Sequence, residues 1–143
     1  MIEINEASNK DFITIENIGK ELLPIYYKTF DLFVLLLGNH KIFKISDNDN
    51  IIGFVVIQII NEQNRIHIMS IGIKETNQRS GYGTTVIQFL KNRYKQNISL
   101  YVQVSNSKAV SFYQKNAFRI EETLDNYYTD LENKEAYYMI SNS

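Results

Sequence analysis

Between residues 42 and 74 the chain carries three β-rich apolar runs, at 42–46, 51–61 and 65–74. Two polar turns, Asp47-Asn48-Asp49-Asn50 and Asn61-Glu62-Gln63-Asn64, separate them. Turns that short join only antiparallel neighbours, so this meander commits the chain to a sheet. The pattern then changes. Residues 80–94 predict a helix, 98–104 a strand, 107–116 a second helix capped by Ser105 or Asn106, and 118–124 and 136–140 two closing strands. A strand–helix–strand crossover pairs its strands in parallel. Upstream, residues 2–7 alternate as a strand. Ser8 or Asn9 then offers an N-cap to a helix whose Phe12, Ile15, Ile18 and Leu22 recur at helical spacing before Pro24. Residues 27–37 predict another short helix, with Gly38-Asn39 as its C-cap. The expectation is an α/β chain: one mixed, mostly antiparallel sheet of about seven strands with helices on both faces.

With 143 residues, no internal repeat and no Pro/Gly/Ser linker, residues 1–143 are expected to form one domain. The absence of cysteine excludes zinc–thiolate sites, iron–sulfur clusters and a cysteine nucleophile, and no metal is expected. A net charge of −1 lacks the basic excess of a nucleic-acid binder. No apolar run reaches the length of a bilayer span; the longest, 51–60, is broken by Gly53 and Gln58. Met1-Ile2-Glu3-Ile4-Asn5-Glu6 lacks the basic and apolar regions of a signal peptide, so a cytoplasmic protein without membrane contact is expected.

The segment Gln78-Arg79-Ser80-Gly81-Tyr82-Gly83-Thr84 lies between a strand and a helix. Amides at a helix N-terminus are unpaired, two glycines let an anion approach them, and Arg79 adds positive charge. From these residues alone, an ordinary turn fits as well. A dinucleotide fingerprint would need a third glycine where Thr84-Thr85-Val86 stands, and a P-loop would need Gly-Lys-Ser/Thr.

This loop resembles the Q/R-x-x-G-x-G/A signature of the GNAT family of N-acetyltransferases. The stretch Val104-Ser105-Asn106-Ser107-Lys108-Ala109-Val110-Ser111-Phe112-Tyr113-Gln114-Lys115-Asn116-Ala117-Phe118 resembles that family's second signature, with Ala117 where a glycine is usual. The resemblance implies the GNAT fold, with splayed central parallel strands, and acetyl-CoA as co-substrate. Its pyrophosphate would lie on the amides of Arg79, Ser80, Gly81, Tyr82, Gly83 and Thr84, with further contacts from Ile71, Ile73, Asn106, Ala109 and Tyr113.

Further segments resemble the subfamily that acetylates protein N-termini, most of all the NatE-type catalytic subunits and next the bacterial ribosomal-protein-alanine acetyltransferases. These segments are Leu22-Leu23-Pro24-Ile25-Tyr26-Tyr27, Arg65-Ile66-His67-Ile68-Met69-Ser70-Ile71-Gly72, Leu100-Tyr101-Val102-Gln103-Val104-Ser105-Asn106 and Asn126-Tyr127-Tyr128. The NatE-type enzymes use a Tyr on the first of the two strands and a His on the second as water-linked proton acceptors. Here His67 stands where the Tyr is expected and Tyr101 where the His is expected. Strand alternation would put His67, Met69 and Ile71 on one face, and Tyr101 with Gln103 on the corresponding face of the next strand. By position alone, a structural role is the commoner one for a strand histidine among isoleucines such as His67, and Tyr113 also suits a core aromatic; the exchanged partner Tyr101 is what brings His67 forward.

Acyl transfer to an amine needs the neutral amine. A protein N-terminus, with a pKa near 8, has a sizeable neutral fraction, so a histidine near 6.5 acting through water would suffice. Amides around residues 70–72 are candidate oxyanion donors, and Tyr113 a candidate donor to the leaving thiolate. Without cysteine, direct transfer in a ternary complex is expected. The substrate wall would comprise Leu23, Pro24, Ile25, Tyr27 and Met69 on one side and Tyr127, Tyr128 and Leu131 on the other, although a surface aromatic cluster fits the same residues. An apolar pocket suits an initiator Met. By resemblance, the partners are a protein or peptide N-terminus and an auxiliary ribosome-associated subunit. Two other readings stand beside this one: acetylation of small amines or lysine side chains, and a catalytically weak CoA-binding accessory subunit. The first gains if Tyr127 and Tyr128 lie away from the cleft.

Overall fold

The computed structural model describes residues 1–143. In chain order the elements are β1 (Ile2–Glu6), α1 (Phe12–Leu22), α2 (Thr29–Leu35), β2 (His40–Asp47), β3 (Asn50–Ile60), β4 (Arg65–Ile73), α3 (Tyr82–Tyr94), β5 (Asn97–Gln103), α4 (Ser107–Lys115), β6 (Arg119–Leu124) and β7 (Ala136–Ser141). Short 3₁₀ turns precede α1, β4 and α3. The strands form a seven-stranded sheet in the order β1-β2-β3-β4-β5-β7-β6. Every neighbouring pair is antiparallel except β4–β5. The expected element order and mixed sheet are therefore present.

β3 is central and buried on both sides, which accounts for its unbroken apolar run. Its Val55 and Ile57 join Ile66, Ile68 and Leu100 beneath Val86, Ile87 and Leu90 of α3 and Tyr113 of α4. Its Phe54 and Val56 face Phe12, Ile15 and Ile18 of α1 and Leu32 of α2. The sheet is thus covered on both faces.

The differences from the sequence expectations are local and have physical causes. The first hairpin turns on Asn48 and Asp49 alone, both at positive φ, the geometry that matches strand twist in a two-residue loop. The second ends on Asn64 in the left-handed region, after a 3₁₀ turn. α2 is shorter than residues 27–37, and Gly38 does not take up a left-handed cap. Its last turn instead closes through Leu37 N–H to Val34 O and Gly38 N–H to Leu35 O. α3 begins at Tyr82 rather than residue 80, because Arg79 and Gly81 both adopt positive φ before it. Of the two residues expected to cap α4, it is Asn106, whose Oδ1 accepts from Ala109 N–H at 3.2 Å.

A larger correction concerns β4. Val56 pairs with Ser70 but Ile57 pairs with Ile68, so Met69 is an extra residue, a β-bulge. The bulge reverses the side-chain alternation beyond it. Met69 packs on the α1–α2 side, whereas Ile71 packs with Ile66 and Ile68 on the α3–α4 side. The expected grouping of Ile71 with His67 and Met69 therefore fails, because a single inserted residue shifts the two-residue period by one.

Ala117, which closes α4, has φ +69°, a conformation that costs an L-residue with a Cβ roughly 1–2 kcal/mol. Ala117→Gly is therefore expected to raise the unfolding free energy by about 1 kcal/mol, net of the extra entropy glycine loses on folding. Urea denaturation of the two proteins checks this; an unchanged or lower midpoint would show that the turn carries no such strain.

Candidate active site

The parallel ladder between β4 and β5 pairs Arg65 with Asn97, Ile66 with Ile98, His67 with Ser99 and Ile68 with Leu100, and then stops. β4 runs on to Ile73 and β5 to Gln103 without pairing to each other. The bulge at Met69 turns β4 aside where the ladder ends. This produces the expected splay of the central strands, and a cleft of about 570 Å³ opens over it.

His67, Met69, Ile71, Tyr101, Asn106, Ala109 and Tyr113 line this cleft. So do Leu23, Pro24, Ile25 and Tyr27 from the segment after α1, and Tyr127, Tyr128 and Leu131 from the segment between β6 and β7. Both side walls are pinned to the scaffold. Leu23 N–H reaches Gly19 O at 2.9 Å, and Thr29 N–H reaches a Glu16 carboxylate oxygen at 2.6 Å. On the other side, Tyr128 N–H bonds Lys134 O, and Gln103 Nε2 donates to Asn133 O at 2.8 Å. Tyr127 and Tyr128 thus face the cleft, which removes the condition that would favour a small-amine or lysine site.

Ile73 and the loop 79–84 lie outside the lining of this cleft. The loop N–H groups donate no hydrogen bond within the chain; the first amide to do so is that of Thr85, to Gly81 O. Gly81 has φ +79° and open space where a Cβ would be. At Gly83 a Cβ would meet the Phe112 ring at 2.8 Å, so this glycine lets α3 and α4 approach each other. Gln78, quoted in the motif but not assigned a role, holds the loop in place. Its Nε2 donates to Ile73 O at 2.8 Å, and its Oε1 accepts from Lys108 Nζ at 3.3 Å. A run of unpaired amides at a helix start, with Arg79 beside it, fits a phosphate-bearing group.

A family model described as the acetyltransferase (GNAT) family matches residues 3–118. The chain belongs to the GNAT acetyltransferase family. N-alpha-acetyltransferase 50 of Danio rerio is 31% identical over 145 residues, covering 95% of this chain and 85% of that protein. Among solved structures, Arabidopsis thaliana Naa50 in complex with a bisubstrate analogue aligns with a TM-score of 0.84 at 22% identity, covering 99% of both chains. The ribosomal-protein-S18-alanine N-acetyltransferase of Escherichia coli aligns with a TM-score of 0.87 at 18% identity, covering 99% of this chain and 94% of that one. At those identities the two structures establish the fold. Against this GNAT frame the exchanged pair stands together: the His67 and Tyr101 rings lie edge to face, 5.2 Å apart. Tyr101 also stacks on Tyr127 at 4.4 Å and lies 5.2 Å from Tyr138.

Two residues missed in the sequence stand beneath His67. Its Nδ1 lies 2.7 Å from Ser99 Oγ, and Arg65 donates to the same oxygen and to the Tyr138 hydroxyl, the latter at 2.8 Å. Only the parallel register could have revealed them, because 32 residues separate His67 from Ser99. Burial, and secondarily the Arg65 charge, lower the His67 pKa to about 4, well below the value near 6.5 assumed from sequence. The cleft tyrosines move the other way. Burial, then the nearby Tyr127, pushes Tyr128 up to about 12, and burial followed by Tyr128 raises Tyr113. These phenols stay protonated.

The sign for stability follows from the His67 shift. The unfolded imidazole takes a proton near pH 6.5 and the folded one only near pH 4. Stability therefore falls as pH drops through that window. Between pH 7 and 4 this amounts to about 2–3 kcal/mol. His67→Gln is expected to flatten that part of the acid profile in denaturant titrations at stepped pH; an unchanged slope would mean that the ring titrates normally.

Proposed function

We propose that the chain acetylates the free α-amine of protein N-termini, using acetyl-CoA, with residues 1–143 acting as one catalytic unit. The observation that carries this reading is the cleft at the β4–β5 splay, walled on both sides by tyrosine-bearing segments suited to grip a peptide backbone. The family and the likeness to N-alpha-acetyltransferase 50 support it.

Acetyl-CoA supplies the acetyl group as an activated thioester. The amides of residues 79–84 with Arg79 would hold its pyrophosphate. Ile71, Ile73, Asn106 and Ala109 would border its arm, and amides around residues 70–72 would bind the developing oxyanion. The Tyr113 hydroxyl makes no hydrogen bond within the chain and keeps its proton, so it suits donation to the departing sulfur. His67 and Tyr101 flank the entering amine. An α-amine with a pKa near 8 is partly neutral without help from a strong base. With no cysteine in the chain, the amine meets the thioester directly.

Leu23, Pro24, Ile25 and Met69 would favour an apolar first residue, above all an initiator Met, and Tyr27, Tyr127, Tyr128 and Leu131 would hold the next residues. A cytoplasmic site of action fits a chain with no helix long and apolar enough to cross a membrane. An auxiliary subunit that brings the enzyme to the ribosome belongs to the same proposal, supported by the apolar side chains Phe30, Phe33, Val34 and Leu37 exposed on and beside α2.

Acetyl-CoA consumption should occur with a free Met-Leu peptide and not with its N-terminally blocked form or a polyamine. Faster turnover of Ala- or Ser-starting peptides would overturn the Met preference, and turnover of the blocked peptide or polyamine would overturn the substrate class. Gly81→Ala should raise KM for acetyl-CoA roughly tenfold, from the strain of a Cβ at that φ. Tyr113→Phe should lower kcat about a hundredfold with KM nearly unchanged. Equal effects on both parameters would place Tyr113 in binding rather than in protonation of the sulfur.

A further inference from the structure

Ser99 is fully buried, and its hydroxyl has two partners, Arg65 and His67. A guanidinium only donates, so Arg65 occupies a lone pair of Ser99 Oγ and leaves the hydroxyl proton to be placed. The remaining partner is His67 Nδ1, 2.7 Å away. Were Nδ1 also protonated, Ser99 would receive two donors while its own O–H pointed at no acceptor inside the protein, a costly arrangement for a buried group. The hydroxyl therefore donates to Nδ1, and the single proton of the neutral imidazole sits on Nε2. Nε2 makes no hydrogen bond within the chain and is not among its sealed, unpartnered polar atoms, so it opens to the cleft that His67 lines.

We propose that Arg65 and Ser99 lock His67 as its neutral Nε2–H tautomer, so that the ring offers the cleft a hydrogen-bond donor instead of accepting the proton of the amine. This deepens the N-terminal acetylation reading and rests on it for the identity of the amine. Arg65 and Ser99 are positioning residues: Ser99 bonds His67, Arg65 bonds Ser99 and Tyr138, and both act through His67. The acceptor opposite Nε2 is an oxygen, either a carbonyl of the entering peptide or a water, and never the ammonium form of the substrate. The amine consequently loses its proton to solvent before it attacks, which its pKa near 8 permits.

The charges around the ring agree with a neutral donor. On its own strand stands Arg65, whose positive charge opposes protonation. On β5 and β7 stand the phenols of Tyr101 and Tyr138. Across the cleft are Tyr27, Tyr113 and Tyr128, all held above the usual phenol range, chiefly by burial. Its edge carries Tyr26, Tyr127 and one carboxylate, Asp130. No carboxylate is hydrogen-bonded to the ring to stabilise an imidazolium.

The test is ¹⁵N NMR of the imidazoles in the intact protein. The chain has two histidines, and His40→Gln assigns the other signal. The expected wild-type spectrum shows His67 with Nε2 protonated and Nδ1 bare, unchanged from pH 8 down to pH 5. Ser99→Ala should mix the tautomers, move the titration up towards an ordinary histidine and lower kcat/KM about tenfold. Arg65→Gln keeps a donor to Ser99 but removes the charge, so the Nε2–H tautomer should persist while the titration rises. In wild type, kcat/KM should rise with pH along the ionisation of the peptide amine, without a limb near 6.5. A wild-type Nδ1–H spectrum, a titration near 6.5, or a Ser99→Ala spectrum identical to wild type would overturn the proposal. The spectra need no turnover, so loss of the acetylation reading would appear in the peptide assay alone and loss of this one in the tautomer.

Discussion

The parallel contact between β4 and β5 is the constraint on which the rest of the molecule depends, because it is held firmly for four residue pairs and then released. Below the release point, Arg65 crosses from β4 to Ser99 on β5 and Tyr138 on β7, tying three strands together with donors from one guanidinium. Above it, the bulge at Met69 spends one residue without a partner and turns β4 away. Two parallel strands normally pair along their whole length; here the sheet opens in its own plane, where backbone groups and side chains from both strands border one space. The two aromatic walls close over that opening from opposite sides.

The same arrangement sets the electrostatic character of the cleft. Removing His67 from water and placing it near a cation leaves it neutral over the working pH range. Burial keeps Tyr113 and Tyr128 protonated. The cleft is therefore walled largely by uncharged donors and apolar side chains, suited to a neutral amine and a thioester carbonyl rather than to an ion. At the loop before α3, Arg79 and Lys108 bring positive charge beside amides that make no bond within the chain.

Much of this was legible in the residues. The meander, the crossover and the two signatures, one carrying Gly81 and Gly83 and the other closed by Ala117, specified the sheet and the family, since turn length and helical spacing are local properties. The cleft residues were legible for a different reason: the segments that carry them, from Leu22 to Tyr27, from Arg65 to Gly72, from Leu100 to Asn106 and from Asn126 to Tyr128, resemble those of known enzymes. What escaped were features that depend on pairing. The side of the sheet that Ile71 takes differs from the one its alternation predicts, because a bulge has no signature in a run of alternating isoleucines. The pairing of Ser99 and Arg65 with His67 is not readable from the sequence, because a serine and an arginine near strand starts acquire meaning only when the strands lie side by side in register.

The division has a plain physical basis. By its own pattern the sequence determined the elements, the helix-start loop with its unpaired amides, and the absence of any cysteine that could carry an acyl group; these follow from backbone preference and side-chain chemistry at single positions. The tertiary structure alone decided where β4 and β5 part, which face each residue beyond Met69 presents, and which way the Ser99 hydroxyl points. Those outcomes depend on long-range register and on burial, which turn a histidine of ordinary basicity into a neutral ring locked from beneath.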